Sequence, residues 1–409
     1  MARRLRRYAD GIHALIAVKG YLMNYRNELI ENILPFWLGS AIDRECGGIF
    51  TCLDEKGEIY GEDKSVWFQG RALWTFSKAY NVIEKNPAYL EAAKCIYDFL
   101  PKCEDTDGRM FFTVTRNGEG IQKRRYYFSE TFAAIGCAEY YLASGDEGAL
   151  LASRKYFDIA YDCFTGKRKN EPKFNPKTHA YKALSPVMIM LSTAQTMRAV
   201  DTEYAERYNE IASACLHEIL HGGFLTERAL LENVNIDGSF SDTPTGRTVN
   251  PGHSLEAAWF VMTEGILTND REAVEAGKRI IDITLPLGWD KKNGGIIAFT
   301  DALGKPPVAL EWDMKLWWPQ CETVIALRLA HLVFGDEKYQ RVCEEAEAYC
   351  EKYFLDRENG EWYGYLHYDN TVSNTLKGNI FKGPFHIPRL YMIMALLNET
   401  GDIRKYMGA

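Results

Sequence analysis

Two kinds of helical segment alternate along this chain, and that alternation limits its fold more than any other feature. One set is amphipathic, with an apolar stripe opposed by charge: 13–36, 87–102, 147–164, 205–221, 271–285 and 337–355. In EKYQRVCEEAEAYCEKYF (337–354), Tyr339, Val342, Cys343, Ala346, Tyr349 and Cys350 share one side and carboxylates occupy the other. The second set is apolar nearly all round and belongs inside: 65–83, 127–144, 185–200, 252–268, 315–334 and 384–399. Successive inner segments start 58 to 69 residues apart, so six similar units fill the 409 residues. Between helices, 47–60, 107–120, 294–306 and 360–372 each show glycine, then apolar or aromatic residues, then a polar turn, the pattern of a short β-hairpin. Six inner and six outer helices describe an all-α (α/α)6 barrel with hairpins on its loops. No Pro/Gly/Ser-rich linker divides it, so 1–409 is expected to be one domain.

Composition narrows the partners. With 46% hydrophobic residues the chain has material for a large core, and 48 Lys+Arg against 56 Asp+Glu leave a net charge of -8. Such a balance disfavours nucleic acid and anionic membranes. Apolar runs fall well short of a membrane span. The opening MARRLRRYADGIHALIAVKG has a basic start, but Asp10 and Lys19 bracket its apolar stretch, which reads as the beginning of a surface helix. Ten cysteines without a CxxC pair read as reduced thiols in a cytoplasmic protein.

In such a barrel the inner helices run parallel and their N-termini share one mouth. The starts read VWFQGR (66–71), YFSET (127–131), LSPVM (184–188), NPGHSLE (250–256), LWWPQCE (316–322) and GPFHIPR (383–389). Trp67, Trp317, Trp318 and Phe385 offer aromatic faces to sugar C–H groups, while Arg71, His253, Glu256, Glu322 and His386 offer polar contacts. Of eight histidines only His253 and His386 fall at inner starts, in the fourth and sixth units. Two imidazoles facing one carbon from opposite sides suit proton removal and return, as epimerisation beside a carbonyl requires. Arg71 could meet the oxygen on which charge develops, and Glu256, three residues after His253, could hold an imidazole in one tautomer. A histidine in an inner helix is equally often a hydrogen-bonded core residue, and spacing does not separate the two.

WFQGRALW (67–74), NPGHSLEAAW (250–259), MKLWWPQCE (314–322), KGPFHIPR (382–389) and GGIFTCLDEKG (47–57), in order from about 20 to 395, resemble the N-acylglucosamine 2-epimerase family. The resemblance implies an (α/α)6 barrel that interconverts N-acetylglucosamine and N-acetylmannosamine through ring opening and an enediolate. It implies His253 and His386 as the acid/base pair, with Arg71, Glu256 and Glu322 supporting them. Gln69 and Asn250, inside the same motifs, count as further substrate contacts. Relatives acting on mannose or cellobiose carry another histidine on the third inner helix. Met188 stands there instead and suits an acetyl methyl group. Gln320 and Cys321 also depart from the pattern of animal relatives. No metal or redox cofactor is implied. The family implies a homodimer and ATP as a non-consumed activator. With no P-loop present, Lys123, Arg124 and Arg125 after the glycines of GEGIQ are the candidates for holding the nucleotide.

Other readings compete. HEILH (217–221) matches the zincin HExxH pattern, but it lies on an outer helix that Gly222 ends, without an evident third ligand. A glycoside hydrolase on the same barrel would use two carboxylates, and Glu256 and Glu322 could serve, though hydrolysis has no need of the histidines. A mannose-type isomerase, a cellobiose 2-epimerase and a non-catalytic sugar- or protein-binding barrel complete the alternatives.

Overall fold

The computed structural model describes residues 24–408. The first outer helix runs as α1 (Tyr25–Glu28), a π-helical turn (Leu29–Ile33) and α2 (Leu34–Ser40). Its expected start at 13–23 lies outside the described residues. Thereafter inner and outer helices alternate: α3 (Val66–Val82), α4 (Pro87–Phe99), α5 (Phe128–Ser144), α6 (Glu147–Phe164), α7 (Leu184–Val200), α8 (Ala205–His221), α9 (Pro251–Thr268), α10 (Arg271–Gly288), α11 (Trp317–Phe334), α12 (Glu337–Tyr353) and α13 (His386–Thr400). A short α14 (Arg404–Met407) follows. Each inner helix packs on the next, and α13 returns to α3, so the ring closes. Cross-contacts fall at matching heights, as parallel helices require: Lys78 Nζ of α3 meets Glu139 Oε1 of α5 at 2.8 Å.

Close approach within the ring depends on absent side chains. A Cβ on Gly70 would sit 2.6 Å from the Phe132 carbonyl carbon, and one on Gly136 would sit 2.7 Å from the Gly70 oxygen. Helices α3 and α5 therefore cross backbone to backbone at two glycines.

The two ends of the barrel are finished differently. Asn86, Asp146, Asp270 and Asp336 cap outer helices by accepting backbone N–H groups of the first turn. Most inner helices lack a side-chain cap, and strands of the following unit take over. Val66 N donates to Phe112 O, Leu184 N to Glu232 O and Trp317 N to Gly364 O, at 2.9, 3.0 and 3.0 Å. Short antiparallel ladders make this possible. Lys64–Ser65 pairs with Thr113–Val114, Tyr181–Ala183 with Asn233–Asn235, Thr248–Val249 with Thr300–Asp301, and Lys315–Leu316 with Tyr365–Leu366. A bridge between Leu53 and Gly378 joins the last unit to the first.

Three of the expected hairpins form: Cys52–Leu53 with Ile59–Gly61, Thr113–Val114 with Gly120–Gln122, and Tyr365–Leu366 with Val372–Asn374. The fourth does not. Thr300–Asp301 pairs back with the preceding unit, and the chain after it, ALGKPPVALEWDM, returns as irregular backbone, with Phe299 N donating to Trp312 O and Ala298 N to Met314 O.

A recurring buried clasp supports these loops. Asp43, Asp290 and Asp356 each accept the N–H groups two and three residues ahead. Each also meets a buried lysine, respectively Lys64, Lys315 and Lys377, at 2.8 Å. All ten cysteines are free thiols. No helix among the described residues is long and apolar enough to cross a membrane.

Burial alone would raise the Asp43 carboxyl, but hydrogen bonds from Arg116 and Lys64 bring it well below the ordinary carboxylate range. Asp356, answered by Lys377 and Asn359, falls to about 2. A depressed folded value stabilises the fold above the unfolded value and loses that contribution as pH falls through it. Urea midpoints should therefore drop steadily below about pH 4. Asp43→Asn, which leaves Lys64 buried without a carboxylate, should cost about 3–5 kcal/mol at neutral pH in the same titration.

Candidate active site

The fourth, fifth and sixth inner helices bring their first two turns together around one buried cation. Arg389 on α13 donates through Nη2 to Glu256 Oε1 on α9 and, at 2.7 Å, to Glu322 Oε1 on α11. Glu322 Oε2 accepts from Trp259 Nε1 at 2.8 Å. His386 Nδ1 lies 2.8 Å from Glu322 Oε1. An ionised carboxylate only accepts, so the ring donates there and keeps Nε2 for another partner. Ligand atoms of Glu256, Glu322 and His386 fall within 4.8 Å of one another, as a metal set would. The Arg389 guanidinium, bridging both carboxylates, answers their charge in place of a metal ion.

His253 has a separate anchor. Its helix begins at Pro251, behind Asn250, whose Oδ1 accepts the His253 N–H. The imidazole Nδ1 faces Glu232 Oε1 at 3.0 Å. Trp318 leans on both histidines, its ring 5.0 Å from His253 and 5.7 Å from His386, centroid to centroid. A Cβ on Gly252 would come within 2.6 Å of the Trp318 ring, so that glycine lets the indole seat against α9. The two imidazoles thus both pack against one indole, and the Nδ1 of each meets a carboxylate.

Charge differs between them. Burial pushes His386 down and Arg389 beside it adds to the effect, holding it well below the usual imidazole value. Burial also acts on His253, but Glu232 outweighs it and the net shift is upward. Burial works against the charge on Arg389 too, yet Glu322 and Glu256 hold it firmly protonated.

Arg71 completes the mouth. Its guanidinium lies 4.1 Å from the Phe132 ring centre, 5.1 Å from Phe385 and 5.6 Å from Trp67. Its Nε is buried without a partner, Nη1 donates to Phe381 O at 3.4 Å, and among the described residues no carboxylate forms an ion pair with it. Burial, only partly offset by Glu256, pulls its pKa down to about 9. Trp317 is buried edge-on to Tyr365, with its Nε1 unpartnered. Met188 is buried in the early turns of α7.

Several expectations change. Glu256 pairs with Arg389; the carboxylate that holds His253 is Glu232, on a loop twenty-one residues upstream. Gln69 is not exposed to a ligand, because its amide is spent on Ile49 N, Ile49 O and Ser65 O. Gln320 does the same for Ile296 and Leu316, which explains its place in WWPQCE. Asn250 acts as a helix cap. Lys123, Arg124 and Arg125 do not converge: Lys123 pairs with Asp105 and Asp107, Arg124 stacks 3.8 Å from the Phe112 ring centre, and Arg125 lies over Tyr126. In HEILH, Glu218 pairs with Lys182 at 2.6 Å on the outer surface. Arg389 and Glu232 escaped the sequence reading. An HxxR spacing, which puts Arg389 on the face of His386, could have flagged the first. Nothing local marks Glu232.

Residues 48–385 match the model of the family described as N-acylglucosamine 2-epimerase (GlcNAc 2-epimerase). The chain is 34% identical over 382 residues to N-acylglucosamine 2-epimerase of Bos taurus, covering 90% of each, and 32% identical over 390 residues to that of Rattus norvegicus, covering 91% and 92%. Among solved structures, cellobiose 2-epimerase from Bacillus thermoamylovorans B4167 superposes with a TM-score of 0.79 at 23% identity, over 90% of this chain and 97% of that one. That likeness confirms the (α/α)6 barrel.

Arg389→Met should leave Glu256 and Glu322 buried without a counter-charge. We expect a loss of about 3–5 kcal/mol in urea unfolding, against less than about 1 kcal/mol for the exposed pair partner Lys94→Met.

Proposed function

The chain belongs to the N-acylglucosamine 2-epimerase family and is an isomerase, and on that premise we propose that it interconverts N-acetylglucosamine and N-acetylmannosamine with His253 and His386 as its two bases. The observation that carries this reading is the packing of two imidazoles against one indole, that of Trp318, each anchored through Nδ1 to a carboxylate so that Nε2 remains for substrate. Once the pyranose opens, the C1 aldehyde acidifies the C2 proton. One imidazole removes that proton, and the electron pair moves into a C1–C2 double bond with negative charge on the C1 oxygen. Because C2 carries the acetamido nitrogen, the intermediate is an enolate with one oxygen rather than an enediolate. The other imidazole then protonates C2 from the opposite face. Arg71, charged and without a carboxylate partner, is suited to the C1 oxygen. No redox step occurs, so the chemistry needs no redox cofactor.

Met188 supports the N-acetyl sugars over the mannose and cellobiose alternatives, since an apolar side chain suits the acetyl methyl. Nucleotide activation falls to Arg124 and Arg125, which have no carboxylate partners among the described residues; Lys123 already pairs with Asp105 and Asp107. Ten free thiols suit a reducing, cytoplasmic setting. We read the closed ring as a single domain and the active particle as a homodimer, which light scattering tests directly.

Proton NMR of N-acetylglucosamine in D2O should show N-acetylmannosamine appearing with deuterium at C2. His253→Ala and His386→Ala should each lower turnover by at least about a hundredfold with unchanged circular dichroism. Near-normal turnover by either would remove the two-base mechanism. Met188→His should lower kcat/KM for the N-acetyl sugars relative to mannose; an unchanged ratio excludes Met188 from the acetyl site. Adding ATP at constant concentration should raise the rate in wild type and less in Arg124→Ala.

A further inference from the structure

The two histidines have unlike carboxylate partners. Glu322 is shared: His386, Arg389 and Trp259 all donate to it, and Arg389 already answers its charge. Among the described residues, the Glu232 side chain has one partner, the Nδ1 of His253. Its backbone is fastened on both sides, accepting from Leu184 N at the start of α7 and donating to Thr248 O in the strand that leads into α9. The carboxylate is therefore delivered to His253 by the ladders that join the third and fourth units, independently of the Arg389 cluster. It is only slightly exposed, with 14% of its side chain accessible.

We infer that Glu232 is a positioning residue that holds the His253 ring with Nε2 toward the substrate and keeps the shared proton of the resting site on His253, leaving His386 the free base. The inference rests on the reading of these histidines as the acid/base pair. Among the described residues, the charged groups facing His253 are Glu232, Glu256 one turn along its own helix, Lys173 from the loop after α6, and His386. Glu256 is committed to Arg389, and Lys173 opposes the imidazolium, so among these Glu232 is the counter-charge in contact with it. The active form carries one proton on the pair. Its alkaline limit is then set by proton loss from His253, and its acid limit by protonation of His386.

Glu232→Gln keeps a hydrogen-bond acceptor but removes the charge, whereas Glu232→Ala removes both. In Glu232→Gln the His253 ring, followed by imidazole NMR without substrate, should titrate about 1 pH unit lower or more, and the alkaline limb of kcat/KM should move with it. Plateau kcat should stay within several-fold of wild type, while Glu232→Ala should lose a further tenfold or more. Loss of activity by the same factor at every pH, with no shift of the ring titration, would mark Glu232 as merely structural and overturn the proposal. Wild type alone supplies a second check that needs no variant: His386 releasing its proton at higher pH than His253 would also overturn it. If wild type fails to turn over N-acetyl sugars, the functional reading falls, yet the ring titrations still decide the role of Glu232.

Discussion

A single buried guanidinium organises the mouth of this barrel. Arg389 ties Glu256 of the fourth inner helix to Glu322 of the fifth and is itself on the sixth, so three walls meet at one charge. Two carboxylates brought this close repel strongly in a low-dielectric setting unless a cation lies between them. With Arg389 in place, Glu322 is free to orient His386, and Trp259 uses its remaining oxygen. The position of the His386 imidazole therefore follows from an ion-pair geometry that spans half the ring.

Around that centre the barrel repeats one solution to a general problem. Inner helices that bury all their faces still expose unpaired N–H groups at their first turn. Strands from the next unit supply the missing acceptors at Val66, Leu184 and Trp317, and buried Asp–Lys clasps hold the loops that carry those strands. Gln69 and Gln320 occupy matching places in the first and fifth units and bind their loops through matching amide contacts. The mouth proposed as the active site is thus braced by main-chain and buried side-chain contacts. Bracing by main chain leaves the aromatic and charged side chains free to face a sugar.

The difference between the histidines comes from how each is braced. His386 sits against a carboxylate whose charge is already met, with a permanent cation beside it, which favours a neutral ring. His253 sits against a carboxylate that has no other side-chain partner among the described residues, which favours an imidazolium. The two-base mechanism proposed above, which takes a proton from one face and returns it to the other, gains from starting with one base empty and one filled.

The architecture was legible from periodicity, because an amphipathic stripe and an all-apolar surface are properties of a helix by itself, and their alternation over six units allows few closed arrangements. His253, His386, Arg71 and Glu322 were legible because each falls at an inner-helix start, where a parallel ring must bring side chains to one mouth. Pairing was not. Glu256 stands three residues from His253 and looked like its partner, but the strongest buried cation within reach was Arg389, and a carboxylate goes to the charge that repays its desolvation. Glu232 lay far from any motif and reached His253 only through the ladders between the third and fourth units. Gln69 and Asn250 looked like ligand contacts and proved to satisfy backbone groups, whose need for partners is set by how the loops fold back. The sequence by itself determined the helices, the ring they close into and the placing of His253, His386, Arg71 and Glu322 at its mouth. Which carboxylate holds which histidine was decided only by the tertiary structure, because hydrogen bonds and ion pairs depend on distances of a few ångströms that no spacing along the chain encodes.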